Sequence, residues 1–210
     1  IAGDIAGDIA SAGPVQVENA EKISDYGQVQ WTKDGISGVV VMQLSGRIAA
    51  ALSQNRRAYV MLDLVPEMDE TGLTRFLENV RGRNIRMNEG SANRELSDLL
   101  APIVNDRLIP VILKQARKEN RTAGSAIDSV MLAHALKHLT FSVAGVRGFE
   151  QAQVCIGGIP LDEIDPESMQ SRIAPGLYFA GEIIDVDGLC GGYNLQWAWS
   201  TGYIAGQTKS

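Results

Sequence analysis

The stretch from Pro175 to Gly206, PGLYFAGEIIDVDGLCGGYNLQWAWSTGYIAG, limits what this chain can fold into more than any other. An apolar run ends at Gly181-Glu182, the acids Asp185 and Asp187 follow, and Gly191-Gly192 then permits a close backbone approach just before a helix begins. Such a turn leaves the amides of Tyr193, Asn194, Leu195 and Gln196 free at a helix N-terminus, the partly positive end of the helix dipole. Ala198, Gly202 and Ala205 or Gly206 form a small-residue stripe that lets this helix pack closely on a neighbour, while Trp197, Trp199 and Tyr203 cover its other sides. A plain strand-turn-helix uses the same residues, so the pattern by itself leaves a binding role and a structural role both open.

With 210 residues the chain is long enough for one domain or two small ones, burying roughly 70% of its unfolded surface. Hydrophobic residues make up 45% and charged residues 21%, and mean hydropathy is −0.03, which describes a globular protein rather than a disordered or fibrous one. No apolar run approaches the roughly 18 residues of a membrane span. The net charge of −6 repels phosphate backbones, so nucleic acid is not expected as a partner; Arg81, Arg83 and Arg86 read as a solvated loop. Cys155 and Cys190 lie far apart and make neither a CxxC pair nor a disulfide framework, which suits a reducing cytoplasm. No secretory signal opens the chain, and a start at Ile1 rather than methionine points to a piece of a longer polypeptide.

Along the chain, residues 1–14 repeat Ile-Ala-Gly-Asp and read as a linker or disordered end. Short strands are expected around Val15/Val17, Val29/Trp31, Val39–Met42 and Tyr59–Leu62, with a short helix over Ser45–Leu52. Asp69 caps a helix whose apolar positions are Leu73, Phe76, Leu77 and Val80 and which Gly82 closes. Apolar periodicity continues from Leu96 to Ile112, where Pro102 and Pro110 split it into two or three helices, and another amphipathic helix runs from about Ser125 to His138. After Leu139 the apolar runs Phe141–Ala144, Ala152–Ile156 and Leu177–Ala180, followed by a helix from about Tyr193, outline β-β-β-α.

His134 and His138 stand four apart on one helix face and are a possible metal pair. The sequence suggests no third ligand nearby, so no metal site is expected. Asp162, Glu163, Asp165 and Glu167 crowd a Pro-bracketed loop and read as a solvated turn. Ser37 lacks the G-x-S-x-G spacing of a nucleophile elbow, and the chain has neither G-x-G-x-x-G nor a P-loop. It therefore offers no evident site of its own for dinucleotide phosphates.

Three blocks, Gly176–Glu182 (GLYFAGE), Asp185–Gly188 (DVDG) and Gly191–Gly202 (GGYNLQWAWSTG), together resemble the carboxy-terminal signature of the BaiN-like, aminoacetone-oxidase-like FAD-dependent oxidoreductases. The likeness reaches upstream through Phe141–Gly145, Ala152–Val154, Gly157-Gly158, Met169 and Ser171. It continues to Trp31-Thr32 and Gly35–Gly38, where Val39 replaces the proline often found after Ser-Gly in that family. The resemblance implies an α+β fold: an insertion domain of β-strands plus a helical cluster at 15–138, lying over a flavin, then a β-β-β-α fragment of an FAD-binding α/β domain at 139–210. It also implies that Gly181 and Glu182 lie beside the ribityl chain and that Gly192, Tyr193, Asn194, Leu195 and Gln196 set helix amides at the flavin N1 and C2 carbonyl edge, with Asp185 and Gly191 completing the cofactor-binding set. The implied activity is an FAD oxidoreductase reaction on a small-molecule substrate, with NAD(P)H or oxygen as second redox partner. The family's amino-terminal strand, glycine-rich turn and helix for the ADP phosphates have no counterpart in the sequence, so the chain alone is expected to be inactive and to self-associate through exposed surfaces. A free-standing, non-catalytic module that binds a small molecule or a protein is the alternative.

Overall fold

Val29 and Trp31 on one strand, and Ala58, Val60 and Leu62 on another, alternate with more exposed residues, so each strand turns one face inward. Among the described residues the strands are β1 (Ile9–Glu18), β2 (Lys22–Thr32), β3 (Gly35–Ser37), β4 (Ala58–Leu62) and β5 (Leu139–Val143). They form one antiparallel sheet in the order β3-β2-β1-β4-β5. The computed structural model describes residues 9–18, 22–84, 92–119, 126–152 and 154–207, and the chain divides into two units between Gly145 and Val146.

Several expectations for the first unit are corrected. Ile9–Pro14, read as part of a linker, belongs to β1, whose backbone pairs with β2 from Ile9↔Gln30 onward. The register slips between Ala12 and Val15, where Pro14 has no N–H to give the ladder. Val39–Met42, read as a strand, opens helix α1 (Val39–Ser53). Each valine costs at most about 0.7 kcal/mol of helix propensity. That loss is smaller than the gain from the helical stripe Val40, Leu44, Ile48 and Ala51, since burial contributes about 1.5–3 kcal/mol for each fully buried Val, Leu or Ile.

Helix α2 (Glu70–Asn84) begins as expected, with the Asp69 carboxylate accepting from the Gly72 amide at 2.6 Å, but it runs through Gly82 to Asn84. Leu73 and Leu77 are its buried positions, whereas Phe76 stays 39% exposed. Pro102 falls just after helix α3 (Ala92–Leu100), and Pro110 occupies the first turn of helix α4 (Ile109–Glu119), where no intrahelical partner awaits its missing N–H. Helix α5 (Ser129–Lys137) starts later than expected, because Asp128 caps it by accepting from the Met131 amide at 2.8 Å; Ser125 lies outside the described residues. α5 packs on α2 and α4, and its Leu132 and Leu136 are fully buried.

The join between units also differs from the expected 138/139. Leu139–Val143 is the last strand of the first unit's sheet, pairing Leu139↔Leu62 through Val143↔Ala58, so the first unit continues to Gly145. In the second unit the expected β-β-β-α is not formed among the described residues. Leu177–Ala180 makes one isolated bridge, Gln170↔Tyr178, and short 3-10 turns stand at Leu161–Glu163 and Gly181–Ile183. Its small core is Ile164, Met169 and Ile184, with Phe179, Trp197 and Ile204 packed around it. Helix α6 (Tyr193–Gly206) ends this unit, and the whole remains a mixed α and β chain.

Candidate functional site

Gly181 is the anchor of the second unit's site. It is buried, its amide donates to Thr201 Oγ1 at 2.8 Å, and its carbonyl accepts from Trp197 Nε1 at 3.2 Å. A methyl at Gly181 would meet Ala198 Cβ at 3.4 Å, so the small residue on α6 lets the helix settle on this turn. Both polar groups of the Gly181 backbone are therefore taken up in docking α6. Glu182 is exposed, and its carboxylate accepts from the Cys155 amide at 2.8 Å. Asp185 is held by its backbone, donating to the Ile159 carbonyl at 3.0 Å, with its side chain exposed.

Asn194 joins the acidic loop to α6. Its Oδ1 accepts from the Gly188 amide at 2.8 Å and its Nδ2 donates to the Gly188 carbonyl at 3.1 Å, so one side chain satisfies both backbone polar groups of one residue. Gly192 then takes the left-handed conformation (φ 97°) at the helix N-cap, with no side chain capping the turn. A Cβ at Gly191 or Gly192 would find nothing within 4 Å, so the backbone there faces open space. Gly191, Gly192, Tyr193 and Leu195 are exposed. The amide of Gln196, read as free, in fact donates to the Gly192 carbonyl at 2.9 Å, the first bond of the helix. The amides at the first three helical positions, Tyr193, Asn194 and Leu195, precede that bond and lack intrahelical acceptors. The arrangement is an open, partly positive pole formed by three donors, suited to an electron-rich ligand edge.

The acidic loop behaves as a turn. Asp165 accepts from the Ser168 hydroxyl, and this bond is the main reason its carboxyl lies below the ordinary range; burial opposes it, while the amides of Glu167 and Ser168 and the Arg172 charge assist. In the first unit Arg81 pairs with Glu95 at 2.9 Å and is no free nucleic-acid contact; Arg86 lies outside the described residues.

One constellation in the first unit escaped the sequence. Glu70, the first residue of α2, places Oε1 2.9 Å from His134 Nδ1 and Oε2 3.3 Å from His138 Nε2. The two imidazoles are 4.4 Å apart, tilted by 42°. Burial alone would raise the Glu70 carboxyl, but hydrogen bonding and charge from both histidines outweigh it and hold the carboxyl below its usual value. The expectation that no third ligand lies near the histidine pair is thus corrected, since ligand atoms of Glu70, His134 and His138 all lie within 4.8 Å of one another. No local pattern announces Glu70, which stands 64 residues from His134 and arrives only through the packing of α2 on α5.

The profile of the HI0933-like protein Rossmann domain matches residues 24–208, nearly the whole chain. This chain belongs to that family. It is the flavoprotein oxidoreductase group to which the three signature blocks point. The 3-dehydro-bile acid delta(4,6)-reductase of Clostridium scindens is 36% identical over 189 residues, covering 89% of this chain and 44% of the reductase. The ribosomal RNA dihydrouridine synthases of Haemophilus influenzae and Escherichia coli are 30% and 31% identical, covering 86% and 84% of this chain and 41% of each enzyme. The chain thus spans less than half the length of these relatives. Both the α6 turn and the Glu70 cluster lie inside the span matched to the HI0933-like family. Among the described residues no helix is long and apolar enough to cross a membrane.

Proposed function

We propose that this chain forms the flavin-edge part of an FAD-dependent oxidoreductase acting on a small-molecule substrate. The observation that carries the reading is the open N-terminus of α6, where a left-handed Gly192 leaves three amides without intrahelical acceptors and with unfilled space beside them. These residues fit a flavin: they are neutral donors set at a helix pole, which matches an electron-rich ring edge rather than a full anion buried in a cage. FAD, when bound, supplies the hydride and electron transfer. The amides of Tyr193, Asn194 and Leu195 would hold the N1 and C2 carbonyl edge, Asn194 keeping that pole in register with the Asp185–Gly188 loop. A fixed positive pole favours negative charge gathering at that edge and so raises the reduction potential. Gly191, Glu182 and Asp185 would line the same side, Gly181 acting beneath them through its hold on α6.

The name of the reductase that is 36% identical supports reduction of a small molecule, and the second redox partner of the proposed reaction is NAD(P)H as electron donor or oxygen as electron acceptor. An RNA substrate, which the names of the two dihydrouridine synthases suggest for those proteins, is opposed here by the net charge of −6. The free thiols Cys155 and Cys190 support a reducing compartment, the cytoplasm.

The test is a titration of the isotope-labelled chain with lumiflavin, the bare ring system, followed by amide chemical shifts. The amides of Tyr193, Asn194 and Leu195 are expected to move most. Shifts confined to other residues, or none at saturating ligand, would overturn the reading.

A further inference from the structure

We propose that Glu70, His134 and His138 form a binding site for one divalent transition-metal ion of the zinc class, clamping the start of α2 to the end of α5. The ligand set is two imidazoles and one carboxylate, the three-ligand combination that holds zinc while leaving coordination positions to water. Calcium and magnesium require sets built from oxygen, and this cluster offers too few. Tetrahedral coordination with bonds of about 2.0–2.1 Å sets donors roughly 3.4 Å apart, and the three here already lie within 4.8 Å. Small side-chain rotations close the difference.

The scaffold around the cluster is fixed at both ends. Asp69 caps α2 one residue before Glu70, and Asp128 caps α5, so the two backbones that carry the ligands are set by their own hydrogen bonds. Leu73 and Leu77 of α2, and Leu132 and Leu136 of α5, are fully buried, which holds the helices in their relative positions. Lys137, the cation nearest in sequence, is engaged elsewhere: its ammonium pairs with Asp63 at 2.7 Å and donates to the carbonyls of Val65 at 3.0 Å and Met68 at 2.6 Å. Those bonds tie the loop before α2 to α5 and keep this charge turned toward residues 63–68. The ligand side chains are 37–45% exposed, so water can enter and complete the coordination. The helix dipoles agree with the arrangement: a carboxylate opens α2, and a cation would sit by the carbonyl end of α5.

The chain contains two histidines, and both are in this cluster, so a histidine signal reports on the site without background. Imidazole nitrogen shifts of the labelled chain, titrated with Zn2+ alongside calorimetry, provide the test. Both histidines are expected to respond together and to saturate at one ion per chain. At free Zn2+ a hundred times the dissociation constant, the folding equilibrium should shift about a hundredfold toward the folded state. Glu70→Gln, which keeps the side chain's shape, should weaken binding, and His134→Ala with His138→Ala should abolish it. Should those variants fail to fold, the wild-type histidine shifts still decide. Absence of stoichiometric binding, saturation that leaves either imidazole unshifted, or undiminished binding by the folded double variant would overturn the proposal.

Discussion

Thr201 carries the hydrogen bond that seats α6, so its replacement by valine tests whether the second unit is organised as described. Its side chain is 1% exposed; Oγ1 accepts from the Gly181 amide at 2.8 Å and donates to the Trp197 carbonyl at 2.7 Å. Valine preserves the shape and removes both bonds. The Trp197 carbonyl loses little, because an α-helix already supplies it the amide four residues on. The Gly181 amide loses its acceptor in a buried setting, which costs about 1–3 kcal/mol. A methyl in place of the hydroxyl returns at most about 0.8 kcal/mol of apolar burial. The net expectation is a loss of roughly 0.5–2 kcal/mol, or about 2- to 30-fold in the unfolding equilibrium. Thr201→Ser keeps the hydroxyl but loses a methyl, so its stability loss is of similar size and denaturation alone does not separate the two variants. Hydrogen exchange at the Gly181 amide does: protection should survive in the serine variant and fall in the valine variant. A Gly181 amide equally protected in Thr201→Val would refute the claim that this hydroxyl fixes the helix to the turn.

Two further predictions concern the same unit. A Cβ at Gly158 would lie 2.9 Å from the Asp185 amide nitrogen and closer still to the Ile183 carbonyl, backbone that cannot swing aside, whereas one at Gly192 meets nothing within 4 Å. Gly158→Ala should therefore destabilise by about 2–5 kcal/mol and Gly192→Ala by only the left-handed backbone cost of about 1–2 kcal/mol, and equal losses in urea denaturation would contradict the geometry. Asp165, whose carboxyl is held below its ordinary value chiefly by the Ser168 hydroxyl, contributes stability that is present above the unfolded value and is lost as pH falls through the lower folded value. Acid unfolding of this unit, followed by amide exchange, should be shallower in Asp165→Asn; an unchanged slope would show that Asp165 plays no part.

What could be read from the sequence was whatever neighbouring residues decide among themselves. Asp69 caps α2 through an amide three residues away, and Gly191-Gly192 opens α6 through its own backbone, so those two helix starts were legible, whereas the apolar period alone starts α5 near Ser125 and passes over the Asp128 cap. Val39–Val41 misled because a run of β-branched residues is a strong local signal, while the stripe Val40, Leu44, Ile48, Ala51 that makes it a helix extends over twelve residues and acts through burial. The runs after Gly145 misled in the opposite way. Their composition favours strands, yet a strand needs a paired edge, and among the described residues Leu177–Ala180 finds one bridge, at Tyr178, between glycines at positive φ, Gly176 and Gly181. Ile9–Pro14 carries almost no local signal and is a strand because β2 lies beside it.

Glu70 belongs to this last kind, and it shows why the two candidate sites differ in legibility. The α6 pole is built from consecutive residues and needs only one helix to exist. The Glu70, His134 and His138 cluster needs two helices brought together across 64 residues, and the force that brings them together resides in Leu73, Leu77, Leu132 and Leu136, none of which touches a ligand atom by necessity of its chemistry. Apolar side chains of this size contribute about 1.5–3 kcal/mol each, so the packing outweighs whatever the three polar groups prefer and holds them facing one another. A sequence can therefore reveal a pair at i and i+4 and still hide the residue that turns the pair into a three-ligand set.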